Sequence, residues 1–319
     1  MKLLKLVPEN TNIDFMRWRN VALVLSLIAT AASIVFTVYR GLNLGIDFVG
    51  GELLRANFAQ SVPIGDVRSR VDRLCGCEAN VTTLGNDKTF QIRLPKPPGP
   101  DSASNSLVSK LRIAIPQQYP GARVDAGESV SGKVSEELAS DGAMAIGFAM
   151  LGIAIYIWFR FEWQFGVGAL LTLAHDVSMT LGFFAFTRLP VDLNVVAALL
   201  TIIGYSLNDT VVIYDRIRED LRKYRKMAIL PLLNLSLNET LARTVVTSLT
   251  VLIALGVLML IGPSVIFGLA IAIFLGVLIG TYSSIYISAP VLVWLKVNPD
   301  SFIRTDDKDE KGAGAARTA

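Results

Sequence analysis

"LNVVAALLTIIGYSLNDTVVIYDRIRED" (Leu193–Asp220) decides the fold. Its first part, Leu193–Tyr214, is a long apolar run, and its end is dense in charge. A helix crossing a hydrocarbon core of about 30 Å needs about 20 such residues. Only Asp209 interrupts the run with a charge. Five further stretches share the pattern: Val21–Tyr39, Gly142–Phe159, Gln164–Thr187, Thr244–Ile261 and Val265–Leu292. The last two are divided by "GPS" (Gly262–Ser264), a turn signal that predicts a tight helical hairpin. The expected fold class is therefore a polytopic α-helical membrane protein with six transmembrane helices.

Composition agrees. Of 319 residues, 52% are hydrophobic and 18% charged, against about a quarter charged in soluble domains. A net charge of +3, with no interleaving of basic and aromatic residues, excludes a nucleic-acid binder. The two cysteines, Cys75 and Cys77, are no metal quartet. A single residue between them is tight for a disulfide, so no role is assigned to them. The first apolar run is too long for a signal-peptide core and has no convincing cleavage site behind it, so an uncleaved anchor is expected.

Lys and Arg in the short flanks set orientation. One side holds Lys2, Lys5, Arg17, Arg19, Arg160, the run from Arg216 to Lys226, and Lys296 onward; the other short loops hold only Arg188. Both termini are thus expected in the cytoplasm. Between the first two spans, Leu42 to about Ser140 reads as strand, helix, strand, strand, helix, strand, with a hairpin turn at "GND" (Gly85–Asp87). That is the order of an α+β ferredoxin-like domain, expected on the periplasmic side. "PKPPGPDSAS" (Pro95–Ser104) reads as a solvated connector. The chain divides into residues 1–20, the first span, the outer domain 40–140, a five-span bundle 141–295 and a charged tail 296–319 expected to be disordered.

A charge within a span costs about 2.5–3.5 kcal/mol on the lenient insertion scale, so it faces protein or a water path. The candidates are His175 and Asp176 on the third span, Asp209 on the fourth and Arg243 on the fifth. Isolated Ser and Thr suit helix packing, but a short Asp side chain cannot snorkel. Asp209 lies seven residues before Arg216, about 10 Å inside at 1.5 Å per residue. "SLNE" (Ser236–Glu239) reads as a capping box that starts the fifth helix near Leu237. Arg243 then lies about 9 Å along it, at the depth of Asp209, and a neutralising pair is expected. Polar stripes support a lined path: Thr201, Tyr205 and Asn208; Thr247 and Thr250; Thr172, Asp176 and Thr180; Thr281, Ser284 and Ser288. Gly276 and Gly280 form a GxxxG packing face. Asp47, at the outer end of the first span, is expected to pack or cap. A buried carboxylate beside an Arg can exchange its proton when the Arg moves, because desolvation and the opposite charge act in opposite senses. Such a switch requires no metal or cofactor.

"GLNLGIDFVGG" (Gly41–Gly51), "AHDV" (Ala174–Val177), "GYSLNDTVVIYDRIRE" (Gly204–Glu219) and "NETLARTVVTS" (Asn238–Ser248) resemble the SecF family in order and spacing. The resemblance covers residues 10–295. It implies a non-enzymatic subunit, similar to half of a resistance-nodulation-division transporter, that partners SecD in the bacterial inner membrane. It further implies association with the SecY–SecE–SecG channel, YajC, the translocating preprotein and membrane lipid, with the proton gradient as energy source and no cofactor. The family's intramembrane Asp maps to Asp209 and its Arg to Arg243; His175, Asp176, Asn208 and Thr210 are further candidates for the proton path. Other readings are a small-molecule exporter of the same superfamily and a purely structural translocon subunit. An intramembrane aspartyl protease is disfavoured by the absence of a Gly-x-Gly-Asp motif and by Asp215 lying at the boundary beside Arg216 and Arg218.

Overall fold

The computed structural model of the chain describes residues 11–77, 79–84, 86–95, 101–125 and 129–297. Residues 96–100 of the Pro-rich connector, Gly85 of the hairpin turn and the charged tail from 298 lie outside the described residues. A 3₁₀ turn, Phe15–Trp18, leads into α1 (Arg19–Arg40). A short strand β1 (Asn43–Leu44) and one helical turn α2 (Ile46–Val49) follow. The sheet domain then comprises β2 (Gly51–Asn57), α3 (Ile64–Cys75), β3 (Asn80–Leu84), β4 (Asn86–Leu94), α4 (Asp101–Gln118), β5 (Arg123–Asp125) and β6 (Ser129–Val130). Gly50, closing α2, and Gly51, opening β2, have φ of 75° and 125°, values that side chains with a Cβ seldom adopt.

The sheet runs β3-β4-β2-β5, with β6 also on β2, and every pairing is antiparallel. Leu54, Phe90, Ile92 and Leu94 fill its inner face against Val67 and Val71 of α3 and Leu111 and Ile115 of α4. Two expectations fail here. Cys75 and Cys77 are disulfide-bonded, with Cα atoms 5.1 Å apart; Gly76, in the left-handed conformation at the end of α3, folds the chain back sharply enough to bring them together. The supposed connector also gives up Asp101–Ser104 to α4.

Five more helices complete the bundle: α5 (Gly132–Arg160), α6 (Trp163–Thr187), α7 (Leu193–Lys223), α8 (Ile229–Ile261) and α9 (Phe267–Ser283). A π-turn, Ser284–Ser288, carries α9 into α10 (Ala289–Trp294). Pro290 accounts for the π-turn: it has no N–H to offer and its ring would meet the carbonyl one turn back. Among the described residues, six segments are long and apolar enough to cross a membrane, with α9 and α10 forming one of them. Helix α5 begins at the Ser131 N-cap, whose Oγ accepts from Val134 N at 3.4 Å. Ser140 therefore lies inside α5, not at the end of the outer domain.

The capping-box reading of Ser236 is also overturned. Helix α8 starts at Ile229, with Pro231 in its first turn, where a missing N–H costs nothing. Ser236 is buried in the helix interior and donates to Asp220 Oδ2 at 2.7 Å. Helix α7 runs past Tyr214 to Lys223 because Ile217, Asp220 and Leu221 bury one face of the charged run. Arg216 supports it through Glu219 at 2.7 Å and Asp220 at 3.5 Å.

The sheet domain is fastened to the bundle by the "NLGIDF" segment. Strand β1 pairs in parallel with β7 (Pro190–Val191) in the link between α6 and α7. Asn43 donates to Arg188 O at 2.7 Å and accepts from Asn80 and Arg93, both at 3.2 Å. Asp47 accepts from Leu193 N at 2.9 Å, so it caps α7 rather than its own segment. Within the bundle, an apolar layer near the sheet domain contains Phe184, Val195, Leu199 and Ile202. A second, at the far end, contains Phe15, Phe165, Tyr214, Leu232 and Leu292. Buried Asp176, Ser206, Asp209, Thr244, Ser283 and Ser284 lie between them.

Candidate functional site

Helix α7 brings Asp209 into this middle layer, where it is 9% exposed. Its Oδ1 accepts from Thr244 Oγ1 of α8 at 2.9 Å, and its Oδ2 accepts from Ser284 Oγ of the π-turn at 3.0 Å. Three elements thus converge on one carboxylate. Helix α6 supplies a second carboxylate, Asp176, which is fully buried. Asp176 Oδ1 lies 2.9 Å from His175 Nδ1, while Oδ2 accepts from Ser206 Oγ at 2.5 Å and Ser283 Oγ at 2.9 Å. A third polar knot lies beside them: Ser248 and Thr281 share a hydrogen bond of 2.7 Å, and Tyr205 reaches Ser248 at 3.4 Å.

Close helix packing makes these bonds possible. A Cβ at Gly276 of α9 would collide with Ile202 of α7. One at Gly280 would lie 3.4 Å from Ser206 Cβ and 3.7 Å from Asp176 Oδ2. The GxxxG face therefore does seat α9 on α7, as small residues do where helices approach in lipid. Gly182 of α6 plays the same part toward Ser33 of α1.

The expected Asp209–Arg243 ion pair is not formed. Among the described residues Arg243 has no carboxylate within 4.0 Å, and its side chain is exposed on the open face of α8. Two hydroxyls, of Thr244 and Ser284, occupy the Asp209 carboxylate instead. The equal depth of Asp209 and Arg243 nevertheless holds. Asp209 lies fourteen residues before the end of α7, and Arg243 fourteen after the start of α8. The misplaced helix start and the unforeseen extension of α7 compensate, and Thr244, next to Arg243, makes the contact.

The other candidates separate. His175 and Asp176 join the buried network. Thr210 is 1% exposed and its hydroxyl has no partner among the described residues. Asn208 shares the open face with Thr201, Arg243, Thr247 and Thr250, all exposed. Ser206, Thr244 and Ser283 were missed. A serine three residues before Asp209 and a Ser-Ser pair in an apolar run were signals, but only packing shows which hydroxyl turns inward.

Asp209 and Asp176 each hold two or more donors, and neither faces a guanidinium. Among the described residues no group of three or more His, Cys, Asp or Glu side chains has metal-binding geometry.

Comparison with known proteins places this arrangement. Residues 116–298 match the family described as protein export membrane protein SecD/SecF, C-terminal. The chain is 40% identical over 301 residues to the protein translocase subunit SecF of Cereibacter sphaeroides, covering 92% of this chain and 93% of that one. It is equally similar, over 295 residues, to the Rickettsia rickettsii protein of the same name, with 91% and 94% covered. The crystal structure of SecDF, a translocon-associated membrane protein from Thermus, superimposes with a TM-score of 0.83 at 34% identity. That match covers 91% of this chain and 40% of the longer SecDF chain. With six helices long and apolar enough to cross a membrane, a family match over residues 116–298 and 40% identity to SecF proteins over more than nine-tenths of its length, the chain is a multi-pass membrane protein that belongs to the SecD/SecF family of protein-export membrane proteins.

Proposed function

We propose that the chain is the SecF subunit of a SecD–SecF complex that uses the proton motive force to assist Sec-dependent preprotein translocation across the bacterial inner membrane. The observation that carries this reading is Asp209, a carboxylate withdrawn from solvent in the middle of the bundle and held by Thr244 and Ser284. A titratable group at that depth is expensive to keep unless it works. Arg243, Asn208, Thr201 and Thr247 are exposed where lipid would otherwise lie, which supports a protein partner, SecD, covering this face. In the complex, Arg243 moves toward or away from Asp209 as the two subunits shift, and proton uptake alternates with release. SecY–SecE–SecG and the preprotein are the remaining partners, and YajC is an accessory one. The termini lie in the cytoplasm and the sheet domain in the periplasm, in keeping with the distribution of Lys and Arg. The strand order of that domain supports its assignment as ferredoxin-like.

The test is Asp209→Asn, which keeps the volume and one of the two acceptor oxygens while removing the titration. Inner-membrane vesicles carrying the variant should assemble normally yet lose proton-driven stimulation of export. Full stimulation by a normally assembled Asp209→Asn complex would leave the chain as a structural subunit.

A further inference from the structure

The second carboxylate has a geometry that the proton reading of Asp209 does not use. Asp176 Oδ2 is one buried atom accepting from two elements, Ser206 on α7 at 2.5 Å and Ser283 at the end of α9 at 2.9 Å. Ser206 lies three residues before Asp209, less than one turn away. Ser283 is the neighbour of Ser284, which donates to Asp209 Oδ2 at 3.0 Å. One atom therefore ties the helix that carries Asp209 to the segment that carries its donor. The tie sits where α9 gives way to the π-turn, a helical irregularity that recurs at functional sites. Gly280, one turn before Ser284, leaves the space in which Asp176 and Ser206 meet.

We propose that Asp176 is a positioning residue for Asp209, setting the spacing between α7 and the π-turn and thereby the Ser284 hydrogen bond to the proton-binding carboxylate. The inference rests on the proton reading of Asp209. Asp176 itself need not change protonation; its two serine donors and His175 hold it in one orientation. When the Asp209–Ser284 bond breaks and reforms during a cycle, the Asp176 tie keeps α7 and the π-turn in register. The titratable and charged groups around the two carboxylates are His175 on α6, Tyr205 and Tyr214 on α7 and Arg243 on α8. Tyr214 donates to Ser288 O, and Tyr282 of α9 turns away toward Ser26 of α1.

The experiment measures the pH profile of proton-driven export in vesicles for Asp176→Asn, Ser283→Ala, Ser284→Ala and the double variant Asp176→Asn/Ser284→Ala, with Asp209→Asn alongside. A positioning role displaces the midpoint of the profile by about one pH unit in Asp176→Asn and Ser283→Ala, the scale of one hydrogen bond to a charged group. The double variant should be no worse than Ser284→Ala, because both changes act through the same bond. A merely structural role lowers export at every pH, leaves the midpoint in place and makes the losses additive, which would overturn the proposal. Should Asp176→Asn fail to assemble, Ser283→Ala, which leaves the carboxylate its Ser206 donor, decides the matter. Normal export by Asp209→Asn would instead remove the underlying proton reading, so the two failures are told apart.

Discussion

Replacing Gly276 by alanine puts a methyl group where Ile202 already sits. The new Cβ would lie 2.6 Å from Ile202 Cδ1 and 2.8 Å from Cγ2, with Cγ1 closer still. Carbon atoms rest at about 3.5–4.0 Å, so the seam between α7 and α9 must open by about 1 Å. Two consequences follow. Overpacking of this kind costs about 1–3 kcal/mol. The 3.0 Å bond from Ser284 to Asp209 would also stretch beyond the range in which hydroxyl–carboxylate bonds form. All three colliding atoms lie beyond Cβ of Ile202, so Ile202→Ala removes every one of them. Alone, that change leaves a cavity worth about 2–5 kcal/mol by analogy with soluble cores. Together the two should partly rescue each other, with a coupling of about 1–3 kcal/mol. Thermal unfolding of the purified complex in detergent measures the cycle, and export in vesicles should follow the same order. Strictly additive losses would show that the seam yields elsewhere, and the argument linking this packing to the Asp209 site would fail.

Two further outcomes are expected. Asn238 holds the chain before α1 by accepting from Ile13 N and donating to Ile13 O, both at 2.9 Å; Asn238→Ala should weaken this docking by about 2 kcal/mol, or roughly thirtyfold in the opening equilibrium, and limited proteolysis should cut the N-terminal segment correspondingly faster. Asp192 caps α7 through Val195 N at 3.0 Å, and burial pushes its carboxyl above the usual 3.8, against the pull of the Val195 and Asn194 hydrogen bonds. The native state therefore holds this proton at pH values where the unfolded chain has lost it, and this contribution to stability falls as pH rises through that window. Asp192→Asn keeps a good cap without titrating, so its melting temperature relative to the wild type should rise from acid to neutral pH; parallel profiles would contradict the assignment.

Length and hydrophobic patterning were enough to place six membrane-spanning segments, the turn at Gly262–Ser264 and the βαββαβ order, because each depends on local chemistry. Asp209, Asp176, His175 and Arg243 stood out for the same reason: charge in an apolar run is conspicuous wherever the run packs. Helix ends were another matter. Ser236 and Glu239 satisfy a capping pattern, but burial of Ser236 against Asp220 makes that stretch helix interior, and no local rule weighs a contact made by a distant segment. The Cys75–Cys77 bond likewise depends on Gly76 reversing the chain. Above all, spacing along a helix identifies a face without identifying its neighbour. Arg243 and Thr244 are adjacent in the chain, yet their side chains point about 100° apart around α8. The packing of α7 against α8 and α9 turns the threonine to Asp209 and leaves the arginine on the open face, and the π-turn presents Ser283 and Ser284 to different carboxylates.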